Sequence, residues 1–82
     1  MEENVHVLAI AVKNRQKNAP RVNSILTDCG DMILARMGIH YEKCDINVIT
    51  VIVAGAEKNT RALLKKLNSL KGVSANTISL EV

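Results

Sequence analysis

Two segments set the strictest limit on what this chain can fold into: Val5–Val12 (VHVLAIAV) and Ile46–Ala54 (INVITVIVA). Each is a nearly unbroken apolar run, too short for a buried helix and bounded by polar residues, so each reads as a buried strand. Both are apolar on both faces. Leu8, Ile10 and Val12 alternate with Val7, Ala9 and Ala11, and Ile49, Val51 and Val53 alternate with Ile46, Val48 and Ile52. A fold that holds these strands must find cover for two sides of one sheet.

The rest of the chain supplies little cover. Pro20 suits the first turn of a helix, with Asn18 or Ala19 near its cap. Val22, Ile25, Leu26 and Cys29 then form one apolar stripe, and Gly30 stands where a left-handed C-terminal cap is expected. Met32–Tyr41 reads as a second strand with a bulge at Gly38. EKCD (Glu42–Asp45) turns it into the strand Ile46–Ala54, giving a hairpin. Glu57–Leu70 reads as a second helix, with Leu63, Leu64, Leu67 and Leu70 on its apolar side and Glu57 four residues before Arg61. Val73–Val82 is the last strand.

The order βαββαβ fills all 82 residues as one domain, 1–82. Right-handed crossovers make it a ferredoxin-like α+β fold: a four-stranded antiparallel sheet, order 4-1-3-2, with both helices on one face. Two single-stripe helices cover only that face. The other is left apolar, and with about 1.5–3 kcal/mol available per buried large aliphatic side chain, a partner is expected. The chain has no Phe and no Trp, so its core is aliphatic and its stability modest. A homodimer or homotetramer follows as the expected state, joined through the open face or a sheet edge.

Several chemistries are argued against by spacing and topology. His6, Cys29, His40 and Cys44 match no metal-ligand spacing. The topology places His6 and His40 at opposite ends of the sheet, so a metal could be held by His6, His40 or Cys44 only between subunits, and no cofactor is expected. Cys29 lies on a helix stripe, and Cys44 has a neighbouring histidine but no orienting group or oxyanion site, so the chain does not read as an enzyme. RNA-binding sheets of this class stack bases on aromatic residues, and Tyr41 is the sole aromatic here. A net charge of +3 leaves a nucleic-acid module using the basic surface as an alternative, not the first reading. No targeting segment or membrane span is visible, and two cysteines without a secretory signal indicate free thiols in the cytoplasm.

Small-ligand binding is the class that the sequence favours. No acidic residue lies between Glu3 and Asp28, a window containing Lys13, Arg15, Lys17 and Arg21. The loop after the first strand, the Glu42–Asp45 hairpin and Lys71-Gly72 fall at one end of the sheet. There Asn14, Arg15, Arg21 and Asn23 are candidate donors for a carboxylate or phosphate.

The segments PRVNSIL, GDMILARMGIHYEK, INVITVIVAG and LLKKLNSLKGV resemble the family described as iron-only hydrogenase system regulators. These look like free-standing ACT-like domains, similar in fold to the C-terminal sensing domain of the nickel-responsive repressor. The resemblance implies a non-catalytic, oligomeric regulatory domain that binds a small ligand or partner protein. It adds Arg36, Met37, Gly38, Ile39 and Tyr41 to the candidate ligand-binding residues. His40 stands where the family pattern has proline, and Cys44 is also a departure. The nickel sensor's clustered histidines have no counterpart.

Overall fold

The computed structural model describes residues 4–81. Strand β1 (Asn4–Val12) leads to helix α1 (Arg15–Asp28), a 3₁₀ turn (Gly30–Met32) and strand β2 (Ile33–Tyr41). Strand β3 (Ile46–Gly55), helix α2 (Glu57–Asn68) and strand β4 (Val73–Leu80) follow. The sheet order β2-β3-β1-β4 is the expected 4-1-3-2 arrangement, antiparallel at every pairing. The fold is ferredoxin-like α+β.

The two central strands divide as their sequences dictate. Leu8, Ile10 and Val12 of β1 and Ile49, Val51 and Val53 of β3 are buried, under Val22 and Leu26 of α1 and Leu63 and Leu67 of α2. The alternate residues have no helix over them. Met37, Ile39, Ile78 and Leu80 stand between 44% and 68% exposed on that second face, with Tyr41 at 44%. Following the register, the open face carries Thr50, Ser74 and Asn76 as its polar residues and no charged residue among those described.

Helix α1 begins at Arg15, four or five residues before the expected start, and Pro20 lies in its second turn. The cause is Asn18. Expected as a cap, it is instead buried in line with Val22 and Leu26, its side-chain amide donating to Lys13 O at 2.8 Å and Lys71 O at 2.9 Å. Those bonds draw a further turn into the helix, and the Asn14 carbonyl closes it by accepting the N–H groups of Lys17 and Asn18. Pro20 and Gln16 are both exposed, so water can satisfy the Gln16 carbonyl that proline leaves without a donor.

At the other end of α1, Gly30 is not a left-handed cap. Cys29 bonds back to Leu26 O, and Met32 N–H to Cys29 O, so the chain passes directly into the 3₁₀ turn. The bulge also moves: the register shifts between Ile33 and Ala35, leaving Leu34 as the extra residue, while Gly38 pairs regularly with Ile49. The insertion lets Ile33 pack on the core and still puts Met37, Ile39 and Tyr41 on the open face. Helix α2 ends at Asn68 rather than Leu70 because Asn68 leaves the pattern to serve β4. Its amide donates to Ala75 O at 3.0 Å and its carbonyl accepts from Ala75 N at 2.9 Å. Asn68→Ala is expected to lower stability by about 1–2 kcal/mol, read from the urea midpoint.

His6 is buried at 1% exposure, with Nδ1 at 2.9 Å from Ser79 Oγ. It lies opposite Val53, whereas His40 lies opposite Asn47. Six positions along β3 separate them by about 20 Å. No trio of metal-ligating side chains gathers among the described residues, and Cys29 and Cys44 are free.

Candidate functional site

Strand β2 breaks the rule that the other three strands obey. On the helix side their middles present Leu, Ile, Val, Ala and Thr, with polar Asn4, His6, Asn47 and Ser79 toward the strand ends, whereas β2, after Ile33, presents Arg36, Gly38 and His40 in succession. Three such residues at alternate positions cannot form core. They leave a cleft of about 280 Å³ between β2 and α1, lined by Ala19, Asn23, Arg36, Gly38, Ile39, His40, Asn47 and Ile49.

Gly38 is the floor. A Cβ built there would meet Ile49 Cγ1 at 3.6 Å and Val48 O at 3.8 Å, ordinary contact distances. The backbone therefore does not require glycine; the absence of a side chain keeps the cleft open. At one end, the Arg36 guanidinium donates to Asn23 Oδ1 at 3.0 Å. That single bond orients the fork while leaving other N–H donors available. At the other end, His40 Nε2 is 2.9 Å from Asp45 Oδ1, and Arg15 Nε approaches the same oxygen at 3.4 Å. The His40 hydrogen bond first, then the Arg15 one, holds the Asp45 carboxyl below its ordinary value. Asp45 is thus the ionised acceptor, and the Nε2 of His40 carries the hydrogen between them. Because the folded value is the lower one, this contact is intact above the ordinary carboxylate range and is lost as pH falls through the lowered value.

The structure separates the sequence candidates into three groups. Asn23, Arg36 and Gly38 meet in the cleft, and Ile39 borders it with its side chain toward the open face. Met37 and Tyr41 belong to the open face, on the opposite side of the sheet. Asn14 caps α1 through its backbone, in left-handed conformation at φ 49°, and Arg15 reaches the hairpin. Arg21 is exposed and lies about 200° round the helix from Asn23, away from the cleft. The residues not anticipated are Asp45 and Asn47, together with His40 in the role of a cleft residue. Cys44 is exposed in the hairpin turn.

Of the other concavities, two lie against the helices and are less organised. One of about 360 Å³ lies between the end of α1 and α2, bordered by Asp28, Asp31, Asn59 and Lys66 over an apolar floor of Met32 and Leu63. The other follows the exposed side of α2 beside Lys58, Arg61 and Lys65. Glu57 and Arg61 form the anticipated i,i+4 pair at 3.3 Å, on the surface. No helix among the described residues is long and apolar enough to cross a membrane.

Comparison with known proteins gives a consistent picture. The model of the family described as "TM1266-like: Iron-only hydrogenase system regulator, putative" matches residues 4–77. A solved structure titled as that of the uncharacterized protein TM1266 from Thermotoga maritima is similar at a TM-score of 0.93 and 28% identity. The match covers 98% of this chain and 100% of that one. No functionally curated protein matches.

Proposed function

The chain belongs to the TM1266-like family of iron-only hydrogenase system regulators, and from that premise we propose that it is a non-catalytic, ligand-responsive regulatory domain that works as a homo-oligomer. The observation that carries this reading is the open sheet face, largely apolar, with Thr50, Ser74 and Asn76 as its polar residues, and free of charge among the described residues. A face of that composition is interior chemistry on an exterior surface. A second copy offers the same composition in return, and a two-fold arrangement would bury both faces at once.

The polar features fit a binding role better than a catalytic one. His40 and Asp45 are paired, but among the described residues no nucleophile stands within the cleft and exposed Cys44 has no hydrogen-bonded base. A nucleic-acid partner is less well supported. The open face offers one aromatic, Tyr41, where RNA-recognition sheets stack two or three bases. The free thiols suit the reducing cytoplasm.

Sedimentation velocity tests the reading. A dimer or tetramer is expected from low micromolar concentration upward, and a monomer at high micromolar concentration would overturn it.

A further inference from the structure

We infer that the cleft between α1 and β2 is a binding site for a small organic acid, with its carboxylate on Arg36 and a second polar group at the His40–Asn47 end. This inference names a ligand class for the ligand-responsive reading above and rests on it. The charge of the lining decides the sign of the ligand. Among the described residues, Arg36 is its one permanent charge and no carboxylate lines the cleft, while Asp45 is occupied by His40 and Arg15.

The geometry decides the class. A guanidinium presents a planar fork that matches the two oxygens of a carboxylate. Arg36 is already held by Asn23 Oδ1, so its direction is set before a ligand arrives. With that oxygen accepting, the Asn23 amide nitrogen is left to donate, and Asn47 brings a second amide from β3. Phosphate is a poorer fit, because the lining has a single permanent cation and meets α1 at Ala19 and Asn23, beyond the unpaired N–H groups of its first turn.

The second group of the ligand is set by the far end. Arg36 and His40 lie four residues apart on one strand face, roughly 13 Å between backbones. Their side chains can converge on the two ends of a short molecule but not on one carboxylate. Since His40 Nε2 points to Asp45, its Nδ1 is the atom left for the ligand. Ala19 and Ile49 provide an apolar wall for a short chain, and about 280 Å³ is below the range of pockets that take drug-sized ligands.

Gly38 separates a ligand role from a structural one. Gly38→Ala meets only ordinary contacts and removes a flexible residue from a strand, so the variant should melt no lower than wild type. It also places a methyl group on the cleft floor.

The experiment titrates the intact chain with short acids from acetate to glutarate, amino acids from glycine to glutamate, their neutral amides, and inorganic phosphate. It follows the side-chain amide resonances of Asn23 and Asn47 and the backbone amide of Gly38. The expected result is saturable movement of these resonances by an acid with a second polar group, stronger than by acetate or by the matching amide. Arg36→Gln should weaken binding roughly tenfold to a hundredfold, and Gly38→Ala should weaken it while keeping the melting temperature. The inference is overturned if only phosphate binds, if amides bind as well as acids, if no acid binds, or if Gly38→Ala binds as wild type does. The Gly38 variant decides the matter should Arg36→Gln not fold. Sedimentation of the same samples keeps the two readings apart: an oligomer that binds no acid removes this inference alone, and a monomer removes the broader one.

Discussion

Gly72→Ala is expected to destabilise the chain by about 2–4 kcal/mol, one of the largest effects of any single-methyl addition here. Two independent penalties meet at this position. Gly72 sits at φ +93°, where a side chain strains the backbone, and a Cβ there would come within 2.9 Å of Asn18 Nδ2. Asn18 cannot retreat freely, because that nitrogen holds Lys13 O and Lys71 O, and Lys13 N in turn donates to Gly72 O at 2.8 Å. The cluster ties the end of β1, the first turn of α1 and the start of β4 into one knot. Asn18→Ala should cost about 2–4 kcal/mol by itself, since two carbonyls at a part-buried site lose their donor. The double variant is the sharper measurement. Removing Asn18 removes the collision but not the backbone strain, so urea unfolding of Asn18→Ala/Gly72→Ala should show a loss smaller than the sum of the singles. Simple additivity would mean that the two residues do not meet as described.

Thr50→Lys should dissociate the proposed oligomer while leaving the protomer folded. Thr50 is at the middle of the open face, opposite Ala9 on one side and Met37 on the other. Its side chain is directed away from the helices, so a lysine in the isolated protomer extends into water. In an assembly that closes this face, the same lysine is buried among apolar residues with no carboxylate in reach. A buried, unpaired charge costs several kcal/mol, so the association constant should fall by about a hundredfold or more. Sedimentation and circular dichroism together check it. A variant that remains oligomeric with native secondary structure would place the interface elsewhere, at a sheet edge.

What the sequence revealed, and what it concealed, follows from how local each determinant is. The strand order is legible because the succession βαββαβ with right-handed crossovers puts the two-faced runs Val5–Val12 and Ile46–Ala54 at the centre of the sheet, with a one-stripe helix after each of them. The start of α1 was not legible, since Asn18 answers to the carbonyl of Lys71, 53 positions away. No local pattern announces that bond. Residue type points to a bulge at Gly38, yet the bulge falls at Leu34, where the alternation must be reset between a core residue and an open-face run.

The cleft was half legible. Arg36, Gly38 and His40 stand at alternating positions and therefore on one face, a signal present in the bare sequence. As a metal ligand His40 has no companions among the described residues; its place beside Arg36 is what gives it a role. Asp45 and Asn47 enter only with the hairpin register, which sets His40 opposite Asn47. Sequence proximity, by contrast, misled for Met37 and Tyr41, which neighbour the cleft residues along the chain but face the other way.

The placement of Tyr41 has an optical consequence. It is the chain's one aromatic residue, and it stands on the open face, remote from the aliphatic core. Near-ultraviolet emission and absorbance from this protein therefore originate at a single known point. Quenching by iodide, or a change in anisotropy on dilution, would report what covers that face, undisturbed by signals from the interior.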